Sequence, residues 1–136
     1  MTMQSNTTYT DEYNRPSKLT DEEMQYFCET VTSVLSATGI LARIAPRDHE
    51  EIPGSEEALG ICWRSEDGDQ FITIDNYFIH ERFCIERGSW LAIENATLTD
   101  VICHELAHLR YWRHTKRHAA LTAQYIAMVS EMEATV

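Results

Sequence analysis

Basic residues are scarce in this chain. Its 136 residues hold 11 lysines and arginines against 22 aspartates and glutamates, a formal net charge of −11. A surface so acidic repels phosphates, which argues against any strong sequence-independent grip on nucleic acid. Long apolar runs are missing too, and nothing approaches the roughly 20 residues that cross a bilayer. The opening stretch "MTMQSNTTYTDEYNRPSK" has neither a basic region nor an apolar one, so no secretion signal is expected. Residues 1–18 read as a polar, disordered tail before a single domain over 19–136. The four cysteines, Cys28, Cys62, Cys84 and Cys103, include no C-x-x-C pair, which disfavours a zinc ribbon. Free thiols in a reducing cytoplasm are the expectation for them. Nothing in the sequence fixes an oligomeric state.

What is present is a set of well-marked local signals. Thr20 and Glu23 form a capping box for a helix over 20–38. Its expected apolar face is Met24, Phe27, Cys28, Val31, Val34 and Leu35, and Gly39 stops it. Ile40–Ala45 and Leu59–Arg64 read as strands, separated by the acidic stretch "PRDHEEIPGSEE". Asp67-Gly68 signals a hairpin into a third strand, Gln70–Asn76, with Ile72 and Ile74 on one face and Phe71 and Thr73 on the other. Residues 77–96 carry a weak pattern, with a short helix expected at Trp90–Glu94. Thr97 and Asp100 cap a helix from Leu98 whose apolar stripe is Leu98, Ile102, Leu106 and Leu109. A last helix begins after Thr115, with Leu121, Tyr125, Met128 and Met132 on its apolar face. Helix, three strands and two helices make an α+β fold.

Four of the six histidines fall within "DVICHELAHLRYWRHTKRH". His104-Glu105-Leu106-Ala107-His108 is the H-E-x-x-H pattern of zinc hydrolases. On a helix the two histidines lie about 40° apart, so both imidazoles can reach one ion. Glu105 is turned about 80° from their mean direction, close enough to hold a water on that ion. Cys103 lies about 100° round from His104 and is expected to pack inward. His114 is the first candidate for third ligand. On an unbroken helix it would lie about 9 Å further along the axis, out of reach. Thr115 as an N-cap, however, implies a break near Tyr111–Arg113 that would turn His114 back towards the pair. His118, on the apolar face of the last helix, competes with it, as do Glu131 and Glu133. The cations Arg110, Arg113, Lys116 and Arg117 are expected near a helix end, balancing its dipole.

"HELAHLRYWRH" has the histidine spacing of the metzincins, which carry glycine where this chain has Tyr111. The segment more closely resembles the minimal zincins of the SprT-like, YgjP-like and WLM groups. Those have a strand ending in a phrase like "ITIDNYFI", a helix with "HELAHL", and a histidine before a Ser, Thr or Gly that opens another helix. Here Ile72–Ile79, His104–Leu109 and His114-Thr115 match, within roughly residues 60–130. The resemblance implies a zincin-like metallopeptidase with Zn²⁺ on His104, His108 and His114, and Glu105 as the catalytic glutamate. A zinc-activated water would attack a peptide or protein substrate, with Glu105 as general base. Tyr111, Arg113 and His118 are candidate donors to the oxyanion. Strand Gln70–Asn76 is expected as the edge that binds an extended peptide. The alternative is a zinc-binding interaction or regulatory module without hydrolysis.

Overall fold

A computed structural model describes residues 18–48, 59–87 and 96–135. Residues 1–17 of the expected tail, the acidic stretch after Asp48 and the helix expected at Trp90–Glu94 lie outside the described residues. The fold is α+β, with four helices and a small three-stranded sheet in the order α1 (Asp21–Thr38), β1 (Ile44–Arg47), β2 (Gly60–Arg64), β3 (Gln70–Asp75), α2 (Asn76–Arg87), α3 (Leu98–His108) and α4 (Lys116–Ala134). Among the described residues no helix is long and apolar enough to cross a membrane.

Helix starts follow the local chemistry. The Thr20 hydroxyl accepts from Glu23 N–H at 3.2 Å while the Glu23 carboxylate accepts from Thr20 N–H at 2.8 Å. The same reciprocal pair forms between Thr97 and Asp100, both bonds at 3.0 Å. Each exchange satisfies two amide donors that a helix N-terminus leaves without partners. Gly39 closes α1 at φ 71°, donating its N–H to the Leu35 carbonyl, a left-handed conformation that glycine adopts without a Cβ clash.

The sheet order is β1-β3-β2, with β1 parallel and β2 antiparallel to β3. The hairpin at Asp67-Gly68 forms as expected, with Gly68 at φ 90°. Gln70–Asp75 is nevertheless the central strand, bonded on both sides, so its backbone has no free edge for a peptide. The zincin resemblance implied an edge; the parallel return of β1 onto its other side makes it the centre. Strands β1 and β2 are both edges, each bonded to β3 on one side only among the described residues, and β2 is the one that approaches α3. β1 also begins at Ile44, not Ile40. The face of β3 away from the core is tied together by one hydroxyl: Thr73 Oγ1 accepts from Arg47 of β1 at 2.8 Å and from the Trp63 indole of β2 at 2.7 Å.

Ile72 and Ile74 of β3 face a core completed by Phe27 and Val34 of α1, Phe78 and Ile79 of α2, Leu98, Ile102 and Leu106 of α3, and Val129 of α4. Burying one such side chain is worth about 1.5–3 kcal/mol. Of the expected α1 face, Phe27 and Val34 are buried and Val31 and Leu35 pack against the core, but its edge is shifted. Tyr26 and Glu23 are buried, while Met24 and Cys28 are exposed. The cause is polar: Tyr26 donates to the Glu86 carboxylate at 2.6 Å, and Glu23 pairs with His80 of α2. Burial alone would raise the Glu23 pKa, but the bonds from His80 and Thr20 outweigh it and hold the carboxyl below its usual range. Helix α2 itself begins where the Asp75 carboxylate accepts the Phe78 N–H. It buries Arg82, whose guanidinium donates to the Ala96 carbonyl at 2.8 Å and so ties α2 to the start of α3.

Candidate metal centre

Helix α3 ends at His108, and Leu109, Arg110 and Tyr111 turn back on the carbonyls of Leu106 and Ala107. The Thr115 hydroxyl then accepts the His118 N–H at 3.2 Å and opens α4. This break folds His114 and His118 back onto α3, and the four imidazoles converge. His114 Nε2 stands 3.2 Å from His104 Nε2 and 3.1 Å from His108 Nε2. The nearest ring nitrogens of His104, His108 and His118 likewise all lie within 4.8 Å of one another. Three close histidines could hold a metal ion, and both trios share His104 and His108.

The two candidates for the third position differ in what their nitrogens already do. His118 is 3 % exposed. Its Nε2 sits 2.9 Å from the His104 carbonyl oxygen, which can only accept, so that nitrogen carries its proton. Its ring lies flat on His108, centroids 3.9 Å apart and planes 22° apart. His114 is exposed, and its Nε2 points at the other two. His108 Nδ1 donates to the Tyr111 carbonyl at 3.0 Å, which fixes the tautomer and leaves Nε2 with a free lone pair. Burial, reinforced by His118, His108 and His114, lowers the His104 pKa to about 4. Burial lowers that of His108 as well, against the raising effect of the Tyr111 carbonyl. Both rings are therefore neutral near pH 7, the form that binds metal.

Glu105 is buried, and desolvation raises its pKa to about 7 against the lowering effect of Arg47. It shares two adjoining clefts with His104 and Gly60. One, of about 350 Å³, also takes in Cys62, His108, Trp112 and His114. The other, of about 440 Å³, takes in Val101, Thr122 and Ile126. Strand β2 and helix α3 thus form facing walls, with Glu105 between them. Burial and the Glu105 charge push the Cys62 thiol up to about 11, so it is no nucleophile at neutral pH. Cys103 is buried, as expected from its position on the helix. Glu131 and Glu133 are exposed at the far end of α4, away from the histidines.

Sequence reading missed Gly60. A Cβ there would lie 2.8 Å from Glu105 Cγ, 3.0 Å from its Oε2 and 3.1 Å from Val101 Cγ1. The strand therefore approaches the helix more closely than any side chain permits, and that approach sets the position of the Glu105 carboxylate. A glycine inside a strand pattern was the available signal. Gly60→Ala is expected to displace the Glu105 side chain, because a methyl group at position 60 would overlap Glu105 Cγ; a crystal structure of the variant would show the shift. An unmoved carboxylate in that variant would show that the close approach has no bearing on its position.

No protein-family model matches the chain, and no curated protein or solved structure is similar to it.

Proposed function

We propose that the chain is a zinc-dependent metallopeptidase, a minimal zincin of the SprT-like kind, with metal ligands His104, His108 and His114 and Glu105 as general base. The observation that carries this reading is the meeting of three Nε2 atoms in the same cleft as a buried carboxylate. Zinc bonds of about 2.05 Å in tetrahedral array require ligand nitrogens roughly 3.4 Å apart, and the His114 contacts of 3.2 and 3.1 Å come close to that. His118 supports the set from behind: it stacks on His108 and holds the carbonyl of His104.

His104, His108 and His114 would hold the ion, and three histidines are the protein share of a catalytic rather than a closed structural zinc site. Bound there, zinc would supply Lewis acidity and lower the pKa of a water towards ~7. The Glu105 carboxylate would accept the proton of the attacking water and hand it to the leaving amine. Its carboxylate lies buried between β2 and α3 in the clefts that also hold His104, within reach of both the water and the leaving group. Among the described residues β2 has no partner on its outer side, and that edge offers backbone N–H and C=O groups to an extended peptide lying across the cleft. Of the oxyanion candidates, His118 has its Nε2 committed to a backbone carbonyl, which leaves Tyr111 and Arg113.

Protein purified without a histidine tag is expected to carry one zinc per chain and to cleave unfolded polypeptide. Chelation should stop cleavage, and added zinc should restore it. One zinc per chain with no cleavage of any peptide pool would favour the interaction-module reading instead.

A further inference from the structure

Five of the chain's 11 basic residues gather at one end of the metal cleft: Arg64, Arg110, Arg113, Lys116 and Arg117. All are exposed, and among the described residues none has a carboxylate partner. Their placement is not what helix dipoles call for. Arg110 and Arg113 follow the C-terminus of α3, a favourable place for cations, but Lys116 and Arg117 sit in the first turn of α4, which holds no acidic residue. That end of a helix is already positive, so the expectation of dipole balance fails for this half of the cluster. Trp112, 45 % exposed, stands among these cations, and the Arg64 guanidinium lies 4.2 Å from its ring centroid. Trp112 also joins two surfaces. It lines the cleft that holds His104, His108 and His114, and a second groove of about 630 Å³ lined by Arg110, Arg113, Lys116 and Arg117.

We infer that this groove takes the acidic part of a polypeptide substrate, so that cleavage favours segments carrying aspartate and glutamate a few residues from the scissile bond. The inference rests on the peptidase reading of the neighbouring cleft. Strand β2 gives the distance: from Gly60 beside Glu105 to Arg64 beside Trp112 is about 13 Å, four steps of extended chain. A peptide laid along β2 therefore brings side chains some three to five residues from its reacting bond among the cations. Arginine forks there meet carboxylates in two-point contacts, and the Trp112 face covers the aliphatic stems. Charge confinement selects a short acidic segment over nucleic acid. The rest of this chain is strongly acidic, so a long polyanion meets repulsion on leaving the groove, whereas an acidic patch within a peptide ends where the groove does.

The test uses zinc-loaded Glu105→Gln protein, so that binding is read without turnover. Labelled ten-residue peptides bearing three acidic residues at one end are compared with their Asn/Gln counterparts, and with single-stranded DNA of equal length, at about 150 mM salt. The acidic peptide is expected to bind at least tenfold tighter than the amide peptide. The doubly reversed Arg113→Glu, Lys116→Glu variant, folded by circular dichroism, should lose that preference. Equal binding of the two peptides, a preference that survives charge reversal, or tighter binding of DNA would each overturn the inference. Wild-type protein then separates the two readings. Acidic peptides bound but never cut would sink the peptidase reading and leave the docking surface standing. Acidic and amide peptides cut with equal kcat/KM would do the opposite.

Discussion

Glu105→Gln is expected to lower peptide hydrolysis about 10³–10⁴-fold, the upper part of the range for losing a general base, with zinc content and fold retained. The side chain is buried between β2 and α3, and Gly60 leaves it just enough room. Glutamine has the same shape and fits the same space, so a loss of activity cannot be put down to repacking. Electrostatics predicts the stability effect as well. Desolvation penalises the Glu105 carboxylate, and a neutral amide escapes that penalty, so the metal-free variant should melt no lower than wild type. A variant that is inactive, zinc-loaded and at least as stable isolates proton transfer as the missing step. Unchanged turnover in a clean preparation would exclude Glu105 as the base.

What the sequence made legible was local. The capping boxes at Thr20 and Thr97, the N-cap at Thr115 and the hairpin glycine at Gly68 act within four residues of themselves, and all formed where expected. The break before Thr115 was legible for the same reason, and with it the return of His114 to the helix that carries His104 and His108. What failed was non-local. The face of α1 was misread at Met24 and Cys28, because polar partners on α2, Glu86 for Tyr26 and His80 for Glu23, draw Tyr26 and Glu23 inward instead. Helix α2 was missed because its inward face carries Arg82, which reads as surface until its carbonyl partner at Ala96 is seen. The place of β3 in the sheet depends on β1 returning parallel to it, which no pattern within β3 encodes. The place of Gly60 against Glu105 and the approach of Arg64 to Trp112 depend in the same way on contacts between elements far apart in sequence.

The second large effect concerns the ligands. His114→Ala is expected to weaken zinc binding more than the ~10–100-fold that loss of an outer-shell partner costs, and to abolish hydrolysis with it. Its imidazole is exposed and makes its close contacts through Nε2 with His104 and His108, so truncation removes a donor and little packing. His114→Cys, which restores a ligand of a kind zinc accepts, should regain much of the lost affinity. His118→Gln should behave in the opposite way. Its amide can still donate to the His104 carbonyl, so zinc stays within the ~10–100-fold cost of an outer-shell change. The variant should instead lose thermal stability, because a buried ring stacked on His108 has been replaced. Metal titration and melting curves on the three variants decide between the trios. An empty site in His118→Gln beside a full one in His114→Ala would make His104, His108 and His118 the ligands. It would also mean that the His118 ring leaves its stack on His108 to turn its nitrogen towards the ion.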